Sequence, residues 1–361
     1  MSPKTATNIL HRNVQESPTS AGLARFLKEG AGLENLKNSM MVNTRSPLVL
    51  IGDILRHGYS ETGPNCLINL ARINDFRHIN KFFESVNENI EQGGYFVGSV
   101  EPSHLREKRI SAGIPALFKK PFLFSDFLLH RVWPKLPYLK RLYFFITKGR
   151  NRVLSEMETY GRLYSCGFKL VTSKEMDGMI HFIAQKVKSP DYNRDATYGP
   201  LIKLRRVGKG GKLLKVYKLR TMSPYSEYVQ QLIYEMNGVG DGAKFKDDPR
   251  VTAVGKFMRK YWIDELPMLF NLLRGDLKVF GVRPISPHYF SLYPQDFQEY
   301  RRKFKPGLIP PVYVEIPKTV EDTVDIERRY LQAYEKNPIL TDIRYTYRAI
   351  TNILFRKTRS H

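Results

Sequence analysis

The sequence predicts an α/β layer domain followed by a second domain, and three observations carry that expectation. Between residues 47 and 187, short apolar runs rich in β-type residues alternate with stretches of helical periodicity, the pattern of a sheet covered by helices. Residues 189–195 (SPDYNRD) are polar and turn-rich, as a linker is, and a hairpin pattern opens soon after, at about Ala196. A length of 361 residues is also more than one domain ordinarily takes. The organisation expected is a weakly ordered segment over 1–45, a first domain over 46–188 and a second over 196–361.

Residues 1–45 are polar, with Gly, Ser and Pro scattered through them, and carry no cleavage-type signal. Residues 47–53 (PLVLIGD) read as a buried strand ending in a turn. Residues 69–90 read as a helix with Ile79, Phe82, Phe83, Val86 and Ile90 on one face. Gly93 and Gly94 break it, and 95–100 (YFVGSV) reads as a strand. A helix over 155–165 stopped at Gly167, then strands over 168–171 and 179–187, complete the first domain. Residues 116–150 form an insertion in which aromatic and aliphatic side chains alternate with Lys119, Lys120, Arg131, Lys135, Lys140, Arg141 and Lys148. That mixture suits short helices lying in a lipid headgroup layer, and equally a helical cap with solvated lysines. In the second domain, 199–222 reads as a hairpin turning at Lys209-Gly210-Gly211. At its far end Ile339, Ile343, Tyr347, Ile350 and Leu354 fall on one helical stripe.

Composition speaks about partners. Against 35 acidic residues there are 58 basic ones, a net charge of +23, which points to nucleic acid, an anionic membrane surface or phosphorylated substrates. The nucleic-acid reading has charge alone behind it and no recognition motif, so no nucleic acid is expected. With only Cys66 and Cys166, neither a disulfide framework nor a cysteine zinc site is supported, and a reducing setting follows. No apolar run approaches the roughly 18 residues a spanning helix needs.

The densest chemistry lies in 247–284 (DDPRVTAVGKFMRKYWIDELPMLFNLLRGDLKVFGVRP). Asp264 and Glu265 are adjacent carboxylates just before Leu266, Leu269, Phe270 and Leu273, which share one helical face. Asp264 is thus placed as an N-cap, with Pro267 in the first turn and Gly275 as the stop. Arg250, Lys256, Arg259, Lys260, Arg274 and Arg283 surround the pair, a setting that suits phosphate. His288 reads as structural or surface, without a second histidine at ligand spacing. Tyr289, Phe290 and Tyr293 read as core or interface.

Residues 47–187, with a helix running into GGYFVGSV and later LSEMETYGRLYSCGFKLV, resemble the second half of a class I methyltransferase fold, a Rossmann-like α/β domain. Its glycine-rich cofactor loop is missing, Ile51-Gly52-Asp53 being the nearest feature, so the shape is expected without methyl transfer. From about Gly199 onward, GPLIKLRRVGKGGKLLKVYKLRTM, the 247–284 stretch and KFKPGLIPP together are similar to the bacterial sugar transferase family. These are monotopic phosphoglycosyl transferases that begin glycan assembly, as in exopolysaccharide and lipopolysaccharide synthesis, on a polyprenyl phosphate carrier.

The resemblance implies an α+β catalytic domain and a two-step displacement. Asp264 would attack the β-phosphorus of a nucleoside-diphosphate sugar, a uridine diphosphate sugar above all, and polyprenyl phosphate would then take the phosphosugar from it. Glu265 would bind Mg²⁺ or act as base. It further implies that Lys218, Arg220, Thr221, Arg250, Arg259 and Arg283 contact the substrate, with Pro284 beside them or serving as a rigid turn. The cytoplasmic face of the bacterial inner membrane would be the place of work, with peripheral or monotopic attachment, and homo-oligomerisation is left open. Three departures stand out. Residues 173–197, polar and charged apart from the 179–187 strand, stand where the family has a re-entrant membrane helix; Val282 stands where proline is commoner, and Met268 where a polar residue is usual. The 116–150 insertion is expected to substitute for the helix. The competing expectation is a non-catalytic sugar-nucleotide-binding or regulatory protein that has lost lipid access.

Overall fold

The computed structural model describes residues 18–31, 38–59, 63–192, 199–237 and 248–355. The chain divides into two units, one comprising Met1–Tyr198 with Ser223–Met236, the other Gly199–Met222 with Asn237–His361.

In the first unit, helices α1 (Pro18–Ala31), α2 (Pro47–Arg56), α3 (Ile79–Asn89), α4 (Ser103–Ala112), α5 (Ala116–Phe127), α6 (Pro137–Thr147) and α7 (Glu156–Ser165) accompany strands β1 (Ser39–Val42), β2 (Cys66–Asn69), β3 (Tyr95–Val100), β4 (Phe168–Met176) and β5 (Met179–Lys186). Helix α8 (Gln230–Asn237) is contributed by the later segment. The five strands form one sheet in the order β1-β2-β3-β5-β4. Its first three strands are parallel, while β5 runs antiparallel to both β3 and β4. This is a mixed α/β sheet. Every residue of β2 is buried, as parallel strands covered on both faces are. Phe76, Phe82, Phe83, Phe96, Phe168 and Phe182 fill the core. The Phe96 ring meets Phe83, Phe168 and Phe182 at 5.7–5.8 Å. Each such fully buried ring contributes about 1.5–3 kcal/mol over its exposed state.

Three expectations are corrected. The helix expected over 69–90 begins only at Ile79, because Asn69 ends β2 and Ile73–Asp75 is a 3-10 turn. Residues 47–53 are not a strand but the start of α2: Pro47 occupies the first helical turn, and Leu50 and Ile54, four apart, are the buried pair. Leu48, Val49 and Leu55 face solvent, so the apolar run is one side of a helix plus exposed residues. Ile51-Gly52-Asp53 therefore lies inside a helix. Of residues 1–45, expected to be weakly ordered, 1–17 and 32–37 lie outside the described residues, and the rest contain α1 and β1, with Leu23, Phe26 and Leu27 of α1 packed on the sheet.

The insertion does form short helices, α5 and α6, joined by a π-turn (Leu128–Val132) and a 3-10 turn (Trp133–Lys135). Ser223–Met236, expected in the second domain, belongs to this unit. The Ser223 and Ser155 hydroxyls are 2.7 Å apart, and the Arg162 guanidinium lies 4.5 Å from the Tyr225 ring centroid.

The second unit opens with the expected hairpin, β6 (Leu201–Val207) and β7 (Leu213–Leu219), turning at Lys209–Gly211. There follow α9 (Ala253–Lys260), a 3-10 turn (Ile263–Glu265), α10 (Met268–Leu273), β8 (Lys278–Phe280), α11 (Pro287–Ser291), α12 (Gln295–Arg302), β9 (Gly307–Ile309), α13 (Val320–Lys336) and α14 (Pro338–Phe355). The mixture of an antiparallel hairpin, a parallel β8–β9 pair and segregated helices is α+β. Its core holds Phe280, Val282, Phe290, Tyr293, Phe297, Tyr330 and Leu331, with Tyr289 packed against it. The Val282 departure thus fills a buried position. On α14 the Ile339, Ile343, Tyr347 and Ile350 stripe faces solvent; the Leu354 side chain and residues 356–361 lie outside the described residues.

Candidate active site

One cavity of the second unit gathers four of the expected residues: Lys218, Glu265, Arg283 and Pro284 all line it. Three elements deliver them. Lys218 comes from the end of β7, Glu265 from the 3-10 turn, and Arg283 with Pro284 from the segment after β8. The Lys218 Nζ lies 2.5 Å from Glu265 Oε1, so this carboxylate is held by an ammonium group from the hairpin.

The turn is built by an unusual backbone. Trp262 has φ 55°, a left-handed conformation disfavoured for a bulky residue, and it reverses the chain so that Ile263–Glu265 forms a tight turn. Asp264 is accordingly not the N-cap: it sits within the 3-10 turn, and Pro267 precedes α10 without a side-chain cap. Leu266, Leu269, Phe270 and Leu273 do share a face, but that face is exposed. Helix α10 is anchored instead through Met268, buried against Val216 and Leu277, and through Asn271. Fully buried, Asn271 accepts from the Tyr217 amide at 3.0 Å and donates to the Lys215 carbonyl at 2.8 Å. That bond pair fixes α10, and with it the carboxylates, against β7.

Arg283 is held from beneath. A buried ion pair joins Arg301 Nε to Glu327 Oε2 at 2.7 Å; Arg301 also donates to the Arg283 carbonyl, and Glu327 accepts the Arg283 amide. The Arg283 side chain stays exposed. Gly307, from KFKPG, permits the close approach of β9: a Cβ there would stand 2.1 Å from the Gly281 nitrogen. Arg206 lines the cavity as well, as does Tyr313, whose hydroxyl accepts from Trp262 Nε1 at 3.2 Å. Burial and the neighbouring Arg283 both press the Arg206 pKa below the ordinary guanidinium value. Two guanidiniums line one cavity, neither in an ion pair with a described carboxylate, and their charge suits an anion.

A second group lies on α9 and the chain before it. Arg259 Nε donates to Thr221 Oγ1 at 3.0 Å, and Arg250 grips Asp248 through Nε and Nη2 at 2.6–3.1 Å. Arg220 Nε donates to the Gly199 carbonyl at 2.9 Å, tying the start of the hairpin to its end. Gly255 allows α9 to sit on this segment, since a Cβ there would lie 2.0 Å from the Thr221 carbonyl oxygen. Asp247 lies outside the described residues.

Asp264 feels the charge of both groups, Lys218 from the first and Arg259 from the second. It is only 8% exposed, yet among the described residues no side chain donates a hydrogen bond to it. Burial raises its pKa above the ordinary aspartate value; Glu265 acts in the same sense, and Lys218 and Arg259 oppose it. Asp264 itself does not line the cavity that Glu265 borders. Among the described residues no cluster of three or more His, Cys, Asp or Glu could cage a metal. The donor set fits a hard ion that brings most of its ligands as substrate oxygens and takes one or two carboxylates from the protein. His288 is exposed on α11. Sequence reasoning missed Arg206, Asn271, Tyr313, Arg301 and Glu327. Arg206 had a signal, a cation on the inward face of an alternating strand, and so did Asn271, a polar residue within an apolar helical stretch.

Residues 192–356 match the family described as bacterial sugar transferase. The galactosyl transferase CpsE of Streptococcus agalactiae is 31% identical over 187 residues, 51% of this chain and 41% of that protein. The undecaprenyl-phosphate galactose phosphotransferase of Salmonella typhimurium is 40% identical over 109 residues, 29% of this chain and 23% of that protein. The exopolysaccharide production protein ExoY of Sinorhizobium fredii is 38% identical over 109 residues, 29% of this chain and 48% of that protein. The chain thus spans less than half the length of each of these relatives. Among solved structures, an O-methyltransferase family protein from Burkholderia thailandensis matches at 11% identity and TM-score 0.24, over 52% of this chain and 57% of that one. The structure titled PigF with SAH matches at 13% identity and TM-score 0.24, over 51% of this chain and 56% of that one. The family match falls on the residues that build the cavity and the carboxylate turn, and the C-terminal half of this chain is a bacterial sugar transferase domain.

Proposed function

We propose that this protein is a phosphoglycosyl transferase that moves a sugar phosphate from a nucleoside-diphosphate sugar, a uridine diphosphate sugar above all, to polyprenyl phosphate, initiating polysaccharide or glycoconjugate synthesis. The observation that carries the reading is Asp264, a nearly buried carboxylate with no side-chain donor on its oxygens that feels the charges of Lys218 and Arg259. A carboxylate saturated by side-chain donors is a poor nucleophile; one that is desolvated and held by no more than its own backbone amide, with cations near to steady an incoming phosphate, is a better one.

In the first step an Asp264 Oδ attacks the β-phosphorus. A phosphorus–oxygen bond forms, the bond to the nucleoside monophosphate breaks, and that group leaves with the electron pair. In the second step an oxygen of polyprenyl phosphate attacks the same phosphorus and the aspartate departs as a carboxylate, restoring the enzyme. Arg283 and Arg206 hold diphosphate charge, Arg by bidentate contact. Lys218 orients Glu265 and moves to phosphate when substrate enters. Arg259 with Thr221 steadies the nucleophile's side of the site, while Arg220 and Arg250, engaged with Gly199 and Asp248, hold the surrounding chain. Mg²⁺ bound with the diphosphate, Glu265 its protein ligand, would neutralise phosphate charge. The acceptor places the work at an anionic membrane surface, the cytoplasmic face of the inner membrane. No helix among the described residues is long and apolar enough to cross a membrane.

The test is incubation with a panel of labelled nucleotide sugars and Mg²⁺, followed by intact mass. A phosphosugar adduct that requires Mg²⁺ and disappears in Asp264→Asn is expected. No adduct across the panel would favour a non-catalytic sugar-nucleotide-binding or regulatory protein.

A further inference from the structure

The first unit carries a second cationic cleft, which the transfer chemistry does not use. It has a volume of about 440 Å³ and is lined by Asn43, Thr44, Arg45 and Ser46 after β1, by Asp75 and Arg77 after β2, and by Lys148 and Arg150 after α6. It opens beyond the carboxyl ends of β1 and β2, where open α/β sheets take their ligands. The β1 turn has Asn-Thr-Arg-Ser where a dinucleotide or adenosyl cofactor would need glycines, so the cleft offers charge in place of close backbone approach. Arg45, Arg77, Lys148 and Arg150 are all exposed, and none makes an ion pair with a described carboxylate. The one acid present is taken: Asp75 accepts from Arg72 and from the Asn151 amide. Burial, then Arg77, Lys81, Arg152 and Lys140, depress the adjacent His78 pKa, a sign of the local positive field.

The loop that supplies two of the cations is built, not loose. Lys148, Gly149 and Asn151 have φ of 54°, 84° and 60°. The turn is pinned by Tyr143 Oη donating to the Arg150 carbonyl at 3.0 Å and by the Gly149 amide donating to Thr147 Oγ1 at 3.1 Å. Immediately before it, Phe145 and Ile146 at the end of α6 are 83% and 66% exposed. Helix α5 buries none of its residues, leaving Leu117, Phe118, Phe122 and Phe124 in solvent beside Lys120. A soluble phosphate ligand would need the cations alone; Phe145 and Ile146, exposed three and two residues before Lys148, fit a lipid surface.

We propose that this cleft binds the phosphate of an anionic lipid headgroup, with Phe145, Ile146 and the apolar side chains of α5 entering the lipid layer. The proposal deepens the membrane side of the transferase reading. Its test reads partition, not transfer, so either can fail while the other stands.

The full chain is floated with phosphatidylcholine vesicles with and without phosphatidylglycerol. Strong partition is expected only with phosphatidylglycerol. It should fall by roughly a hundredfold or more when Arg45, Arg77, Lys148 and Arg150 are all changed to Glu. A Phe145→Ser, Ile146→Ser variant should lose at least about tenfold. All these positions are exposed, and an unchanged circular dichroism spectrum and thermal midpoint are the fold control. Equal partition with and without phosphatidylglycerol, or charge-reversed protein that floats like the wild type, overturns the proposal. Inorganic phosphate that raises the thermal midpoint of the wild type but not of the charge-reversed variant, with no vesicle binding by either, overturns the lipid assignment in favour of a soluble phosphate ligand.

Discussion

Glu158 in the first unit and Asp264 in the second are both carboxylates among cations, and they differ in whether their oxygens are engaged. Glu158 is 0% exposed; Arg131 donates to one oxygen, and Arg162 to the other through Nη2 at 2.8 Å and Nε at 3.3 Å. Burial opposes its charge, but Arg131, Lys135 and Arg162 outweigh burial and hold the carboxyl below the ordinary glutamate range. At Asp264 the balance is reversed: burial prevails over Lys218 and Arg259, the pKa rises, and no described side chain bonds the oxygens. A ring of cations therefore does not by itself mark a reactive acid. Saturation by side-chain donors makes the group structural; desolvation without a side-chain donor is what the proposed attack on phosphorus needs.

The comparison breaks most sharply by removing each charge in turn. Asp264→Asn should lower sugar-phosphate transfer by more than about a thousandfold, read as labelled sugar reaching polyprenyl phosphate. Glu158→Gln should lose about 3–5 kcal/mol in urea unfolding, because two buried guanidiniums lose their counter-charge. Gly255→Ala forces a Cβ against the Thr221 carbonyl and should lose about 1–3 kcal/mol, read in the same unfolding curves. Lys218→Met frees Glu265 and should reduce transfer by roughly ten- to a hundredfold at full folded content.

The smallest effect is in the pH dependence, and its sign differs between the two acids. For Glu158 the folded pKa lies below the unfolded one, so its contribution is complete above the unfolded value of about 4.3 and is lost as pH falls. The wild type should thus lose stability on acidification more steeply than Glu158→Gln. For Asp264 the folded pKa is raised, so the contribution is complete below the unfolded value and lost as pH rises through the folded one. Asp264→Asn should consequently be slightly more stable than wild type at neutral pH and lose that advantage in acid, as thermal midpoints across pH would report.

Legibility in the sequence followed local physics. The β6–β7 hairpin was readable because its turn needs glycine and its flanks alternate, and α7 because Ser155 caps it, accepting from the Glu158 amide at 3.1 Å. Residues 47–53 misled because a short apolar run fits a strand or one side of a helix equally well until its burial partners are known. Asp264 was misplaced as a cap because nothing local announces the left-handed Trp262 that makes the turn. The exposed face of α10 shows the same limit, since its periodicity is apolar but its partner is not the core. The grouping of Lys218, Glu265, Arg283 and Pro284 was legible only through the family's motifs. Residues 47 and 66 positions apart in sequence meet through β7, the 3-10 turn and the β8 segment, and no spacing rule predicts that. Arg301 and Glu327, which hold Arg283 in place, read as ordinary surface charges on amphipathic helices.

The central claim is that Asp264 forms the covalent bond to the phosphosugar. Its most direct measurement is peptide mapping of protein quenched after reaction with a labelled uridine diphosphate sugar in the absence of polyprenyl phosphate. The account predicts the phosphosugar mass on the peptide containing Asp264, discharged when polyprenyl phosphate is added. Label on any other residue, or an adduct that persists in Asp264→Asn, would contradict it.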